Sequence, residues 1–251
     1  MTSLKEGTVM KVHFVMHESF EGPGALLQWV DQRNYSTSYS RVYLEEALPE
    51  QVDEIDLLIV LGGPQSPSTT QESCAYFDAK AEIQLIQRVV ATGKPVVGFC
   101  LGAQLLGEAF GASYTRSPEP EVGCFPIVIN KHARLDRKFE GFPAQLVVGH
   151  WHNDMPGLTP ECQVLATSLG CPRQIVRYSS QAYGFQCHPE FTRESIAGLI
   201  EHSGADLEGA GIRPFIQTAE VLLSVDYSEM NRALFGFMDA LVAESQLNAR
   251  I

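Results

Sequence analysis

A strand-like run, Pro95-Val96-Val97-Gly98-Phe99, passes without any loop into Cys100 and then into Leu101-Gly102-Ala103-Gln104. Glycines on either side of a cysteine at a strand-to-helix turn form the cysteine version of a nucleophile elbow. A turn this tight brings backbone against backbone and leaves no room for a side chain at Gly98 or Gly102. At the start of a helix, Cys100 meets the helix dipole and free amide groups, which favour the thiolate and lower its pKa below the ~8.5 of a free cysteine. A thiolate that attacks an amide needs a base that can pass a proton to the departing amine. Cys187-His188-Pro189-Glu190 offers one at the end of a second strand-like run. In extended backbone, residues two apart project to the same side, so Glu190 can accept a hydrogen bond from the His188 imidazole and fix its tautomer. Gly62-Gly63-Pro64 ends the apolar run Leu57 to Leu61, and its bare N–H groups, with that of Leu101, could receive a developing oxyanion. Each piece alone has a plainer reading: a buried cysteine between packing glycines, a surface histidine, an ordinary turn. Together they point to covalent amide chemistry.

The elements around these residues alternate in kind. Val9 to Met16 reads as a strand and leads through the turn-rich His17 to Gly24 into a helical stretch with Leu26, Leu27 and Val30. A short strand is expected at Arg41 to Leu44, a buried one at Leu57 to Leu61, and an amphipathic helix from Ala75 to Ala91 that stops at Gly93 and Pro95. A helix should follow Cys100 from Leu101 to Phe110. Runs apolar on both faces belong in the middle of a parallel sheet. Beyond them lie shorter candidate strands at Phe125 to Asn130, Leu146 to His150, Gln163 to Thr167, Gln174 to Tyr178 and Ala182 to Cys187. Most gaps between these are too short for crossover helices, which implies antiparallel pairing. Helical segments are expected near Arg193 to His202, Pro214 to Ser224 and Ser228 to Ser245. The fold class is α/β: a mixed, mainly parallel central sheet with helices on both faces. One domain over residues 1–251 is expected, with a C-terminal helical extension at about 205–251.

Composition narrows the partners. The chain has 251 residues, 45% of them hydrophobic and 19% charged, with a net charge of −12 and a pI near 5.0, so its field repels phosphate backbones and argues against nucleic acid. No run approaches the ~18 apolar residues of a membrane span, and MTSLKEGTVMK lacks a signal peptide's apolar region, so a cytoplasmic location is expected. The six cysteines contain no CxxC pair and form neither a disulfide framework nor a zinc ribbon. His150 and His152 share a face, but no third ligand is evident in sequence, and no metal site is expected.

A Gly-Gly-Pro loop, then G-x-C-x-G-x-Q, then His-Pro-Glu, in this order, resembles the class I glutamine amidotransferases over roughly Val9 to Ile200. The likeness is nearest to the glutaminase domain of GMP synthase and its stand-alone relatives. It implies a flavodoxin-like architecture and no cofactor. It also implies a reaction in which the cysteine attacks the side-chain amide of glutamine, ammonia leaves, and water hydrolyses the γ-glutamyl thioester. By the same resemblance Gln104, Glu121, Val122, Gly123, His150 and Trp151, with His152 in the same segment, would hold the small-molecule substrate. Ala103 departs from the family, where histidine often follows the second elbow glycine. The sequence also shows no ATP-pyrophosphatase domain and no phosphate-binding glycine loop. Three functions stay open: a stand-alone hydrolase of glutamine or γ-glutamyl compounds, a glutaminase subunit feeding ammonia to a synthetase partner, and a non-catalytic redox or regulatory protein on the same fold. The apolar segments Phe215 to Leu223 and Leu234 to Val242 could cover the face a synthetase would occupy, or pack as ordinary helices.

Overall fold

The computed structural model describes residues 9–248; residues 1–8, most of the N-terminal segment considered above, and 249–251, the tip of the expected extension, lie outside the described residues. In chain order the elements are β1 (Lys11–Met16), α1 (Ala25–Gln32), β2 (Ser36–Arg41), β3 (Leu57–Val60), α2 (Ala79–Ala91), β4 (Val96–Phe99), α3 (Leu101–Ala109) and β5 (Thr115–Ile129). They continue as α4 (Lys131–Arg134), β6 (Gln145–Met155), β7 (Gln163–Thr167), β8 (Ile175–Ser179), β9 (Ala182–Phe185), α5 (Arg193–Ser203), α6 (Ala219–Ser224) and α7 (Ser228–Asn248). All described strands join one sheet in the order β2-β1-β3-β4-β9-β8-β7-β5-β6. The first five in that order pair parallel, and β8, β7, β5 and β6 pair antiparallel. The expected mixed α/β sheet is what forms.

Alternation along the central strands feeds two cores. Phe14, Leu57, Ile59, Val97 and Phe99 point to the side covered by α1, α5 and α7, while Val15, Leu58, Val60 and Val96 point to α2 and α3. Strands apolar on both faces therefore sit where helices cover both faces, as the continuous run Leu57 to Leu61 demands. α7 packs as a core helix: Phe237 lies against Phe139, Tyr183 and Phe185, and Leu234, Met238 and Leu241 are fully buried beside it. Among the described residues no helix is long and apolar enough to cross a membrane.

Several boundaries differ from the sequence expectation for identifiable reasons. The strand expected at Arg41 to Leu44 is instead β2, the polar stretch Ser36–Arg41, and Val42–Leu44 form a 3₁₀ turn. β2 is an edge strand with much of its length exposed, so it carries no apolar alternation to betray it. α2 starts at Ala79 rather than Ala75 because the Asp78 carboxylate caps the Ala81 N–H. β5 runs back to Thr115 through two prolines, which fall where its register against β6 breaks between Arg116 and Glu121. Of the helix expected over Pro214 to Ser224 only α6 forms; Phe215 ends a turn, and Phe215 O and Gln217 N–H bond to Val122 on β5 around the Ile216 bridge.

Candidate active site

The sheet order decides which residues meet. β3, β4 and β9 are neighbours and parallel, so the segments leaving their carboxyl ends, which carry Gly62, Cys100 and His188, emerge side by side. Ligand sites of open α/β sheets form at this end.

Cys100 links β4 directly to α3 with φ +49° and ψ −107°, a left-handed conformation that costs a non-glycine residue about 1–3 kcal/mol. The turn is held by Cys100 N–H to Phe185 O at 2.8 Å and Gly102 N–H to Leu61 O at 3.1 Å. Its glycines have no alternative: a Cβ on Gly98 would lie 2.2 Å from Gly102 O, and one on Gly102 would lie 2.0 Å from Val60 O. These obstacles are backbone atoms, which cannot step aside.

His188 follows β9, donates its backbone N–H to Gly149 O at 2.7 Å, and stacks on Phe191 with ring centres 4.1 Å apart. Its Nδ1 donates to Glu190 Oε1 at 2.7 Å, which leaves Nε2 toward Cys100 with no other partner. Burial works against a charged ring here, but the Glu190 carboxylate and the Cys100 side chain outweigh it and raise the His188 pKa to about 10. An imidazolium beside a cysteine is the partner a thiolate needs.

Gly62 and Gly63 lie at the mouth of this pair. A Cβ on Gly62 would come 3.3 Å from His188 Cε1 and 3.6 Å from Cys100 Cβ, and one on Gly63 would come 3.0 Å from the Leu101 side chain. Leu101 is the first residue of α3, so its N–H has no acceptor within the helix. Backbone donors and a nucleophile thus share one corner.

Beside Cys100 opens a cavity of about 380 Å³, within the ~300–1,000 Å³ of small-molecule sites. Gln104 and Trp151, expected to hold substrate, line it, as does His152. Gln104 donates to Gln186 Oε1 at 3.2 Å and leaves its own Oε1 without a partner. The Trp151 carbonyl lies 3.7 Å from Cys100 Sγ, and its indole N–H donates to Asp206 Oδ2 at 2.8 Å. Glu121, Val122, Gly123 and His150 do not line the cavity. They sit behind it in the β5–β6 pairing, where Glu121 is opposite His152 and Gly123 opposite His150, and Val122 is bonded to the Phe215–Gln217 segment. Glu121 and His150 are fully buried. Burial lowers the His150 pKa to about 3, and the histidines hold the Glu121 carboxyl below its ordinary value although burial pulls the other way.

Residues 25–200 match the family model described as "Glutamine amidotransferase class-I". The chain belongs to the class I glutamine amidotransferase family. The glutamine amidotransferase-like protein YfeJ of Salmonella typhimurium is 51% identical over 238 residues, 94% of this chain and 100% of that protein. A glutamine-hydrolyzing GMP synthase subunit of Methanococcus maripaludis is 31% identical over 149 residues, 59% of this chain and 70% of that protein. The crystal structure of SMU.1228c superposes with a TM-score of 0.91 at 47% identity, covering 92% of this chain and 99% of that one.

In this class I chain the structure also brings in residues that the sequence reading did not single out. His17 Nδ1 donates to Gly62 O at 2.8 Å and its Nε2 meets Glu82 Oε2 at 2.9 Å, all buried. In a trans peptide the carbonyl and the next N–H point opposite ways, so anchoring Gly62 O on His17 turns the Gly63 N–H away from His17. Burial disfavours an ionised His17, yet Glu82 raises its pKa. One signal was legible: Glu82 lies on the buried stripe of α2 with Leu85, Ile86 and Val89, where a carboxylate is out of place unless paired. Glu21, from the loop after β1, lines the cavity, and its Oε2 lies 2.6 Å from where a Gly62 Cβ would be. Burial pushes its pKa up to about 7, although His188 and His17 pull it down. Finally, Asn231 of α7 donates to Pro189 O at 2.7 Å and Phe191 O at 2.9 Å, on both sides of Glu190.

Proposed function

We propose that the protein is a cysteine-dependent amide hydrolase that cleaves the side-chain amide of glutamine or a γ-glutamyl compound. The observation that carries this reading is the convergence of Cys100, in its elbow, with a His188 oriented by Glu190 at 2.7 Å. The Cys100 thiolate adds to the γ-carbonyl carbon, and the carbonyl oxygen takes the negative charge beside the Gly63 and Leu101 N–H groups. His188 passes its proton to the departing amine, the C–N bond breaks, and a γ-glutamyl thioester remains on Cys100. Water then attacks the thioester with His188 as base, and the γ-carboxylate product leaves as the thiolate returns. Gln104 and Trp151 hold the rest of the substrate, and no cofactor takes part.

A second reading is a glutaminase subunit that supplies ammonia to a synthetase partner; the likeness to the Methanococcus GMP synthase protein favours it. What supports the independent hydrolase is that Ser203 and Asp206, beyond the family match, close one side of the cavity. The test is kcat/KM of the isolated protein for glutamine and for a γ-glutamyl dipeptide, with Cys100→Ala as blank. Efficient dipeptide cleavage supports the hydrolase. Glutaminase activity that stays feeble until a synthetase is added reverses the preference. No turnover of either compound, with Cys100 still reactive, leaves the redox or regulatory reading.

A further inference from the structure

Behind the cavity wall the β5–β6 register sets Glu121 opposite His152, with His150 two residues earlier on the same face. All three side chains are buried, and one donor atom from each lies within 4.8 Å of the others. Sequence supplies the two histidines without a third ligand; strand pairing supplies the carboxylate.

The hydrogen bonding of this cluster does not close. Glu121 Oε2 accepts from Ser168 Oγ at 2.8 Å and Gln174 Nε2 at 2.6 Å, while Glu121 Oε1, Gln174 Oε1 and Nδ1 of both histidines have no partner among the described residues. His150 Nε2 lies 3.3 Å from Phe125 O and its Nδ1 lies 3.7 Å from Glu121 Oε2. A neutral ring has one proton for these two oxygens, so either tautomer leaves a nitrogen lone pair facing an acceptor. The other ion-pair contact of Glu121 is His152 Nε2, at 3.3 Å. A buried carboxylate that, among the described residues, has no Lys or Arg against it calls for positive charge. A metal ion supplies that charge and takes the His150 Nδ1 lone pair, which leaves the Nε2–H for Phe125 O. Zinc bonds of about 2.0–2.1 Å in a tetrahedron set neighbouring ligand atoms about 3.3–3.4 Å apart, and the separations from Glu121 Oε2 are 3.3 and 3.7 Å.

We propose that Glu121 Oε2, His150 Nδ1 and His152 Nε2 form a zinc-binding site. The Gln174 amide lies against two of these ligands: its nitrogen is 2.6 Å from Glu121 Oε2 and 3.2 Å from His152 Nε2, so it donates to the carboxylate and steadies it. His152 also lines the cavity, which gives the ion its entrance. Trp151, between the two histidine ligands, places its carbonyl 3.7 Å from Cys100 Sγ, so the ion ties down the strand that faces the nucleophile.

The test uses the full chain carrying Cys100→Ser, so that the thiol beside His188 cannot capture metal. After chelator treatment it is titrated with Zn²⁺ and Co²⁺ and assayed by equilibrium dialysis, thermal melting and visible absorption. The site predicts one tightly held equivalent, a raised Tm, and intense Co²⁺ bands of a four-coordinate nitrogen–oxygen site. Glu121→Gln and His152→Asn, each checked for native circular dichroism, should lose that equivalent, whereas His188→Ala should keep it. No stoichiometric Zn²⁺ or Co²⁺ binding overturns the proposal without recourse to any variant at these ligands. Binding that survives His152→Asn, or vanishes with His188→Ala, overturns it too.

Discussion

Asn231 lies outside the family match, yet its amide clamps the backbone that carries Glu190, and replacing it tests whether α7 positions the site. The same segment is otherwise held by His188 N–H on Gly149 O at 2.7 Å and by Ala25 N–H on Glu190 O at 2.8 Å. Asn231→Ala removes both bonds on the remaining side and leaves two carbonyls short of a donor. At about 1–2 kcal/mol each the loss is about 2–4 kcal/mol. At ~2–4 °C per kcal/mol for a chain of this size, Tm should fall by about 4–16 °C. The remaining anchors keep the chain folded, but the His188–Glu190 bond loses its fixed geometry. A displacement of about 1 Å near a reacting centre can cost about 10²-fold, so kcat should drop by about 10- to 100-fold with KM little changed. Because the substrate is itself at issue, the first assay is the second-order rate of Cys100 alkylation by iodoacetamide well below the melting range, followed by turnover. A variant that melts lower but keeps wild-type alkylation and turnover would show that α7 merely packs, and would refute this reasoning.

Other expectations follow from the same geometry. At neutral pH, limited iodoacetamide should label Cys100 before Cys124 and Cys171, whose pKa values burial pushes up to about 11, and before Cys187, which is raised further; mass mapping that finds one of these first would contradict the nucleophile assignment. His188→Ala should lower kcat by at least about 10²–10⁴-fold, and Glu190→Gln should leave a measurable remainder, because the first removes the proton carrier and the second only its orientation. Equal losses from the two changes would speak against those separate roles. Glu21, with its pKa raised to about 7, is neutral below that pH and a carboxylate above it. Its ionised form opposes an oxyanion near Gly62, so kcat/KM should fall as pH rises through about 7, and Glu21→Gln should flatten that limb; an unchanged profile would dismiss the effect.

The parts of the site that could be read from sequence are those encoded in contiguous residues. The elbow glycines on either side of Cys100 carry their geometry locally. The His188–Glu190 contact also forms, but through a turn closed by Phe191 N–H on His188 O at 3.3 Å, after β9 has ended at Phe185, rather than through the extended backbone that the two-residue spacing assumed. The parallel half of the sheet was legible for a similar reason, since Leu57 to Leu61 and Val96 to Phe99 are apolar on both faces. What stayed hidden depends on contacts distant in the chain. His17 meets Glu82 65 residues away and Asn231 reaches Pro189 across 42; the apolar stripe of α2 marks Glu82 as needing a partner but does not name His17, and no local pattern announces Asn231. Glu121 was drawn into the expected substrate set through the family likeness; it shares a face with the cavity-lining His152 but is fully buried behind it and does not itself line the cavity. β2 was misplaced because a polar edge strand beside the apolar Val42, Tyr43 and Leu44 offers the weaker signal.

The proposed reaction passes through a covalent intermediate on Cys100. Protein mixed briefly with glutamine or a γ-glutamyl dipeptide, quenched in acid and digested, should yield the Cys100 peptide carrying a γ-glutamyl group in thioester linkage. The adduct should be absent in Cys100→Ala and should build up more where water attack is slowed. Turnover of either compound that persists in Cys100→Ala, or an adduct on any other residue, would contradict the central claim.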